Sequence, residues 1–132
     1  MDFKKGDHFH AAFKVDNRVY EQFIQLFNDK NPLHTEEDFA RSKGFHGKVM
    51  HGNILHGFIS YFVGECLPVK NVIIQAQSIK FSKPVYLGDE LNFSAVVDEV
   101  FESVNTVEFK YFFENSLQEK VAKGTIQIGL LA

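Results

Sequence analysis

Between Gly52 and Leu67 the chain carries Ile54, Leu55, Phe58, Ile59, Phe62, Val63, Cys66 and Leu67 as adjacent pairs repeating every four residues. That spacing puts them on one stripe of an α-helix. Pro68 stops the run, and its sixteen residues would span about 24 Å. Downstream of Pro68 the pattern changes to a period of two. Val72 to Phe81 is rich in Ile and Val with Gln and Ser alternating; Leu91, Phe93, Ala95 and Val97 share one face; Val107, Phe109, Tyr111 and Phe113 form the next set; and Ala122, Gly124, Ile126, Ile128 and Leu130 form the last. Such alternation predicts half-buried strands, read as a meander of about four. Only the 52–67 helix has enough apolar residues to cover one face of the resulting sheet. The fold class is therefore α+β, a curved antiparallel sheet of about five strands wrapped around one long central helix, in a single domain spanning 1–132. A second row on that helix, Gly57, Ser60 or Tyr61, and Gly64, is small. Each interior glycine costs about 1 kcal/mol relative to alanine, so something approaches closely there: a sheet, a second subunit or an extended ligand.

The N-terminal part supplies the fifth strand. Phe9, Ala11, Phe13 and Val15 alternate with His10, Ala12 and Lys14. Asp16 or Asn17 can cap a helix over 17–28, whose apolar face is Val19, Tyr20, Phe23, Ile24, Leu26 and Phe27. Thr35-Glu36-Glu37-Asp38 matches a capping box that opens a short helix to about Lys43, with Gly44 ending it.

Between these helices lies Asp29-Lys30-Asn31-Pro32-Leu33-His34. A residue preceding proline is pushed out of the α region, so the chain bends here. A bend can bring the Asp29 carboxylate and the His34 imidazole to one side, within reach of a single water or substrate proton. Taken alone, the six residues are read more plainly as an ordinary surface turn; context decides.

Partner classes are narrowed by charge and composition. A net charge of −3 and a pI near 6.0 argue against a nucleic-acid partner. The 54–67 run is broken by His56, Gly57, Ser60, Gly64 and Glu65 and does not read as a membrane span. Cys66, the single cysteine, cannot form an internal disulfide, and no signal-type apolar stretch follows Met1; the expected setting is cytoplasmic. His34, His46, His51 and His56 fall in a short span but lack metal-type spacing and Cys or carboxylate partners, so no metal is expected. Cys66 reads as a small hydrophobe, and Lys43, Lys48, Lys80 and Lys83, which could meet the phosphates of a ligand, are read by default as solvated surface charges.

The D-x-N-P-x-H element at 29–34, Phe39-Ala40, Met50-His51-Gly52 at the head of the long helix, and Phe81-Ser82-Lys83-Pro84-Val85-Tyr86-Leu87-Gly88-Asp89 resemble the MaoC-like (R)-specific enoyl-CoA hydratases of the hot-dog fold. The resemblance spans nearly the whole chain. Phe27-Asn28 departs from it, standing where the family more often has small residues. The implied reaction is reversible addition of water to a trans-2-enoyl-CoA, giving an (R)-3-hydroxyacyl-CoA, in fatty-acid metabolism. The implied catalytic pair is Asp29 and His34, with His34 handling the water proton and Asp29 the C2 proton. Gly52 would offer its N–H to the thioester oxygen; Asn31, Ser60 and His51 would position substrate or water. The resemblance implies no cofactor beyond coenzyme A as part of the substrate, and a homodimer acting on an acyl-CoA or acyl-carrier-protein thioester. Alternatives are an acyl-carrier-protein dehydratase, a thioesterase, or a non-catalytic acyl-binding subunit.

Overall fold

The computed structural model describes residues 1–132. Strand β1 (His8–Lys14) leads into α1 (Asn17–Phe27), two short helices α2 (Pro32–Thr35) and α3 (Glu37–Ser42), and the central α4 (Ile54–Tyr61). Strands β2 (Val72–Phe81), β3 (Glu90–Phe101), β4 (Thr106–Glu114) and β5 (Lys120–Leu130) follow. All five strands form one antiparallel sheet in the order β1-β3-β4-β5-β2. Strands β3, β4 and β5 are a meander as the alternation predicts, but β2 is not its first member. It pairs with β5 at the far edge. Period-two alternation says which face a residue takes and nothing about which strand lies beside it.

The segment joining β2 to β3 is consequently a crossover around the end of the sheet. It is tied down as it passes: Met50 N–H donates to Val85 O (2.8 Å), Gly88 N–H to Val15 O (2.7 Å) and Val15 N–H to Asp89 O (2.9 Å). Gly88 takes φ +88° there, a conformation that favours glycine. This crossover delivers Lys83, Pro84 and Val85 to the mouth of the site.

The central helix is shorter as an α-helix than its stripe predicts. Residues Phe62–Cys66 form a π-helical turn at its end. A wide turn shifts the register by a fraction of a turn, too little to show in an apolar repeat. It leaves Phe62, Val63 and Leu67 buried. Phe62 meets Phe93 at 4.7 Å, Phe9 at 5.8 Å and Phe109 at 5.9 Å between ring centroids. On the preceding turn Phe58 stacks on Phe13 at 4.4 Å. The core is thus the stripe of α4 set against the inward rows of β3, β4 and β5. By contrast Gly57 and Gly64 are exposed, with open space where a Cβ would stand; the sheet is not what approaches them.

Two caps differ in detail. Asp16 caps α1, its Oδ1 accepting from Val19 N–H at 2.9 Å. Thr35 does not open the next helix: it ends α2, and its hydroxyl donates back to the carbonyls of Lys30 and Asn31 at 3.2 Å. Pro32 at the first helical position, favoured there because it has no N–H to satisfy, starts α2 early, and Glu36 precedes α3 without a side-chain cap.

Candidate active site

Helix α1 ends at Asn28, which takes a left-handed conformation (φ 59°) and donates its N–H to Ile24 O at 2.7 Å. The residue that replaces a small one in the resembled motif thus adopts the cap conformation usual for glycine or asparagine. The chain then turns at once into α2. Asp29 Oδ1 accepts from Asn31 N–H (3.2 Å), and Asn31 Oδ1 accepts from Leu33 N–H (3.0 Å). The Asn31 side chain is therefore the cap of α2, with its carbonyl engaged by Leu33 N–H and the residue exposed, while its Nδ2 makes no hydrogen bond within the chain.

These caps bring the pair together. His34 Nε2 lies 3.9 Å from Asp29 Oδ2, with side-chain exposures of 18 % and 50 %. That gap is too long for a direct hydrogen bond. The other ring nitrogen of His34, Nδ1, is 2.7 Å from Val49 O. A carbonyl can only accept, so Nδ1 carries the proton and Nε2 keeps a lone pair facing Asp29.

His51 holds both partners from beneath. Its Nε2–H donates to the Asp29 carbonyl at 2.9 Å, and its ring stacks on His34 with centroids 4.0 Å apart and planes 27° from parallel. Phe23 packs on it at 4.7 Å, and His51 is 3 % exposed. Burial pushes its pKa below the ordinary value, with His34 adding to the shift and the bond to Asp29 O opposing it. Its Nδ1 is buried without a partner, as expected for a ring held neutral in the Nε2–H form. Tyr20 completes the clamp by donating its hydroxyl to His34 O.

Gly52 follows at the approach to α4. Its N–H makes no hydrogen bond within the chain, and it lies near the positive end of the α4 dipole. It lines a pocket of about 260 Å³ together with His34, His51, Val49, Phe81 and Val85. A Cβ at Gly52 would stand 2.8 Å from the Phe81 ring, so Phe81 covers this backbone closely. Ser60 does not line this pocket; it is exposed on α4, one face away.

Of the four clustered histidines, the fold converges only His34 and His51; His46 is exposed and stacks on Tyr86 at 5.5 Å. Asp29, His34 and His51 each offer a ligating atom within 4.8 Å of the others, a cluster that the linear spacing does not reveal. The bonds above commit His34 Nδ1 and His51 Nε2 as donors, so the free pair is the His34 Nε2 lone pair and the Asp29 carboxylate. That arrangement suits proton transfer.

Three contributors escape the sequence reading. Tyr20 reads as part of an apolar stripe, although a buried tyrosine hydroxyl needs a partner and that need is the available signal. The Val49 carbonyl, being backbone, leaves no signal. Phe81 reads as one more alternating strand residue.

Comparison with known proteins places the chain among described relatives. The MaoC like domain model matches residues 5–112. The (R)-specific enoyl-CoA hydratase of Rhodospirillum rubrum is 32 % identical over 109 residues, covering 83 % of this chain and 76 % of that protein. The enzyme of the same name from Aeromonas caviae is 36 % identical over 69 residues, 52 % of each chain. Among solved structures, the (R)-hydratase from A. caviae superposes with a TM-score of 0.89 at 25 % identity, covering 97 % of both chains. An R-hydratase from Pseudomonas aeruginosa gives 0.88 at 25 % identity over 98 % of this chain and 83 % of that one. The family model spans Asp29, His34, Gly52, strands β1 to β3 and most of β4, and the chain belongs to the MaoC-like family.

Proposed function

We propose that this protein is an (R)-specific enoyl-CoA hydratase, adding water reversibly across the C2=C3 bond of a trans-2-enoyl-CoA. The observation that carries this reading is the His34 Nε2 lone pair held 3.9 Å from Asp29 Oδ2 beside a pocket whose Gly52 N–H is unengaged. In hydration the water oxygen bonds to C3, one water proton leaves, and C2 gains a proton. One water shared by Asp29 and His34 allows the pair to remove one proton and supply one, ending with the protons it began with. The tautomer set by Val49 O supports His34 Nε2 as the group that takes the water proton; Asp29 then carries that same proton from the imidazolium to C2, so carboxylate and imidazole both end as they began.

As the water oxygen bonds to C3, the thioester oxygen gains enolate charge, which is discharged when C2 takes its proton. Gly52 N–H, near the start of α4, is the donor proposed for that charge. His51 acts through its neighbours by fixing the Asp29 carbonyl and the plane of His34.

The reading extends to a homodimer. Gly57 and Gly64 stand uncovered on α4, and β2 is an open edge with Ile73 at 52 % and Phe81 at 49 % exposure. Unpaired edges invite another strand, and a second copy would cover both features. No helix is long and apolar enough to cross a membrane. Fatty-acid metabolism in the cytoplasm is the proposed setting, and a 3-hydroxyacyl-carrier-protein dehydratase is the second reading, favoured by a 27 % identical mitochondrial relative of that name from Arabidopsis thaliana.

The test is turnover of trans-2-enoyl-CoA and enoyl-carrier-protein substrates of graded chain length, with product configuration determined. Formation of the (R)-3-hydroxyacyl-CoA supports the proposal. Release of free thiol without hydration overturns it in favour of a thioesterase.

A further inference from the structure

The outer face of the sheet, turned away from α4, carries a groove of about 470 Å³. Strand register explains its lining. Residues facing the core on β3 and β4 are Phe93, Ala95, Val97, Phe109, Tyr111 and Phe113, so the intervening positions face outward. Across that outer face, Lys80 of β2 sits opposite Lys123 of β5, which sits opposite Phe112 of β4. In the neighbouring row Lys110 sits opposite Thr125. Lys120 completes the set, its Nζ 4.4 Å above the Phe112 ring.

The charge arrangement is unfavourable for the chain by itself. Two lysines directly opposite each other on adjacent strands repel, and neither Lys80 nor Lys123 has an ion-pair partner. Lys110 reaches Asp98 at the rim, 3.6 Å away, and Glu114 is the register partner of Lys120. No carboxylate lines the groove itself. Four lysines thus surround one concavity in a chain whose net charge is −3, so general basicity does not account for them.

We infer that this groove is a binding site for a phosphate-bearing anion, of the organic diphosphate type found in nucleotides and in coenzyme A. Lysine is a point-charge phosphate binder, and an anion between Lys80 and Lys123 would turn their repulsion into attraction. Thr125 and Ser78 share one hydroxyl–hydroxyl bond at 2.9 Å, which leaves one of the two hydroxyl protons to donate to a phosphate oxygen. Phe112, half-buried between the lysines, provides an apolar floor for the organic part. Because the groove lies on the opposite face of the sheet from His34, its occupancy is independent of the hydratase reading.

The test is calorimetric titration at low ionic strength with pyrophosphate, ADP and free coenzyme A, with sodium sulfate at matched ionic strength as the control. Saturable binding of pyrophosphate is expected, weakened at least tenfold in the double variant Lys80→Gln/Lys123→Gln. Without ligand that variant should melt no lower than the parent, since it loses a repulsion. ADP binding alongside pyrophosphate would assign the site to nucleotides, and coenzyme A binding much more tightly than ADP would assign it to a coenzyme A molecule separate from the one whose acyl group reaches His34. No saturable pyrophosphate binding, an equal response to sulfate, or undiminished binding by the double variant would each overturn the proposal.

Discussion

The Asp29 to His34 turn and the small-residue face of α4 contrast in how their groups are satisfied. In the turn, polar groups are tied to named partners: Tyr20 to His34 O, His51 to Asp29 O, His34 Nδ1 to Val49 O, and Asn31 Oδ1 to Leu33 N–H. On α4, Gly57 and Gly64 have no neighbour where a Cβ would stand, and the adjacent edge strand leaves Ile73 and Phe81 half-exposed. One chain is enough to preorganise the reacting groups. The α4 face and the β2 edge have no such partner within the chain.

The first and largest way to break this contrast is to remove proton transfer while keeping the turn. Asp29→Asn and His34→Gln retain size and hydrogen-bonding capacity, so both should fold with unchanged circular dichroism. Each should lose about a hundredfold to ten-thousandfold in kcat, or at least about 3 kcal/mol. Because a water held by one partner is already misplaced, the double variant should be little worse. Hydration within about twofold of the parent by folded variants would return 29–34 to an ordinary surface turn.

Next in size is the backbone donor. Gly52→Val places a branched side chain where a single Cβ already comes within 2.8 Å of Phe81 and blocks access to the N–H. Loss of an oxyanion donor costs about 2.7–4 kcal/mol. Kinetics on one enoyl-CoA should show a fall in kcat of that size; a normal kcat removes Gly52 from the site.

The untied region is tested by charge. Gly57→Arg points a long cation into open space within one chain, so the monomer should fold normally. If a second copy covers this face, the dimer should weaken by about 3 kcal/mol, since burying an unpaired charge is expensive. Sedimentation should then show dimers for the parent and monomers for the variant at micromolar concentration. A fully active monomeric parent would leave this face without a partner.

The smallest effect sharpens the role of His51. His51→Phe keeps a flat ring against His34 but leaves the Asp29 carbonyl without its donor, a loss of about 1–2 kcal/mol and about tenfold in kcat. Stability should also change with pH in a defined direction. Burial holds His51 below its ordinary value near 6.5, so the unfolded chain takes up this proton at a higher pH than the folded one. Stability therefore falls as pH drops through about 6.5 towards the folded value, and the slope follows the extra proton bound on unfolding. Melting curves across that window should be flatter for His51→Phe; equal slopes would show that other groups set the acid limit.

Much was legible from local pattern because the relevant forces are local. The stripe from Ile54 to Leu67, the outer and inner rows of four strands, the Asp16 cap and the bend at Asn31-Pro32 follow from side-chain periodicity, capping chemistry and proline geometry, all set within a few residues. Asp29 and His34 were legible for the same reason, being five positions apart across one bend.

What tertiary structure alone decided involves partners far apart in sequence. The placement of β2 beside β5 rests on a ladder joining Val72 to Leu130, and no alternation encodes which strand becomes the neighbour. The protonation form of His34 is set by the carbonyl of Val49, a group that every residue carries and no sequence distinguishes. Asn31 became a cap because the turn into α2 brings Leu33 N–H to within 3.0 Å of its side-chain carbonyl. The lysines of the outer groove, scattered from Lys80 to Lys123, became one charged surface only when register set them opposite one another, because electrostatic energy depends on distance in space and not along the chain.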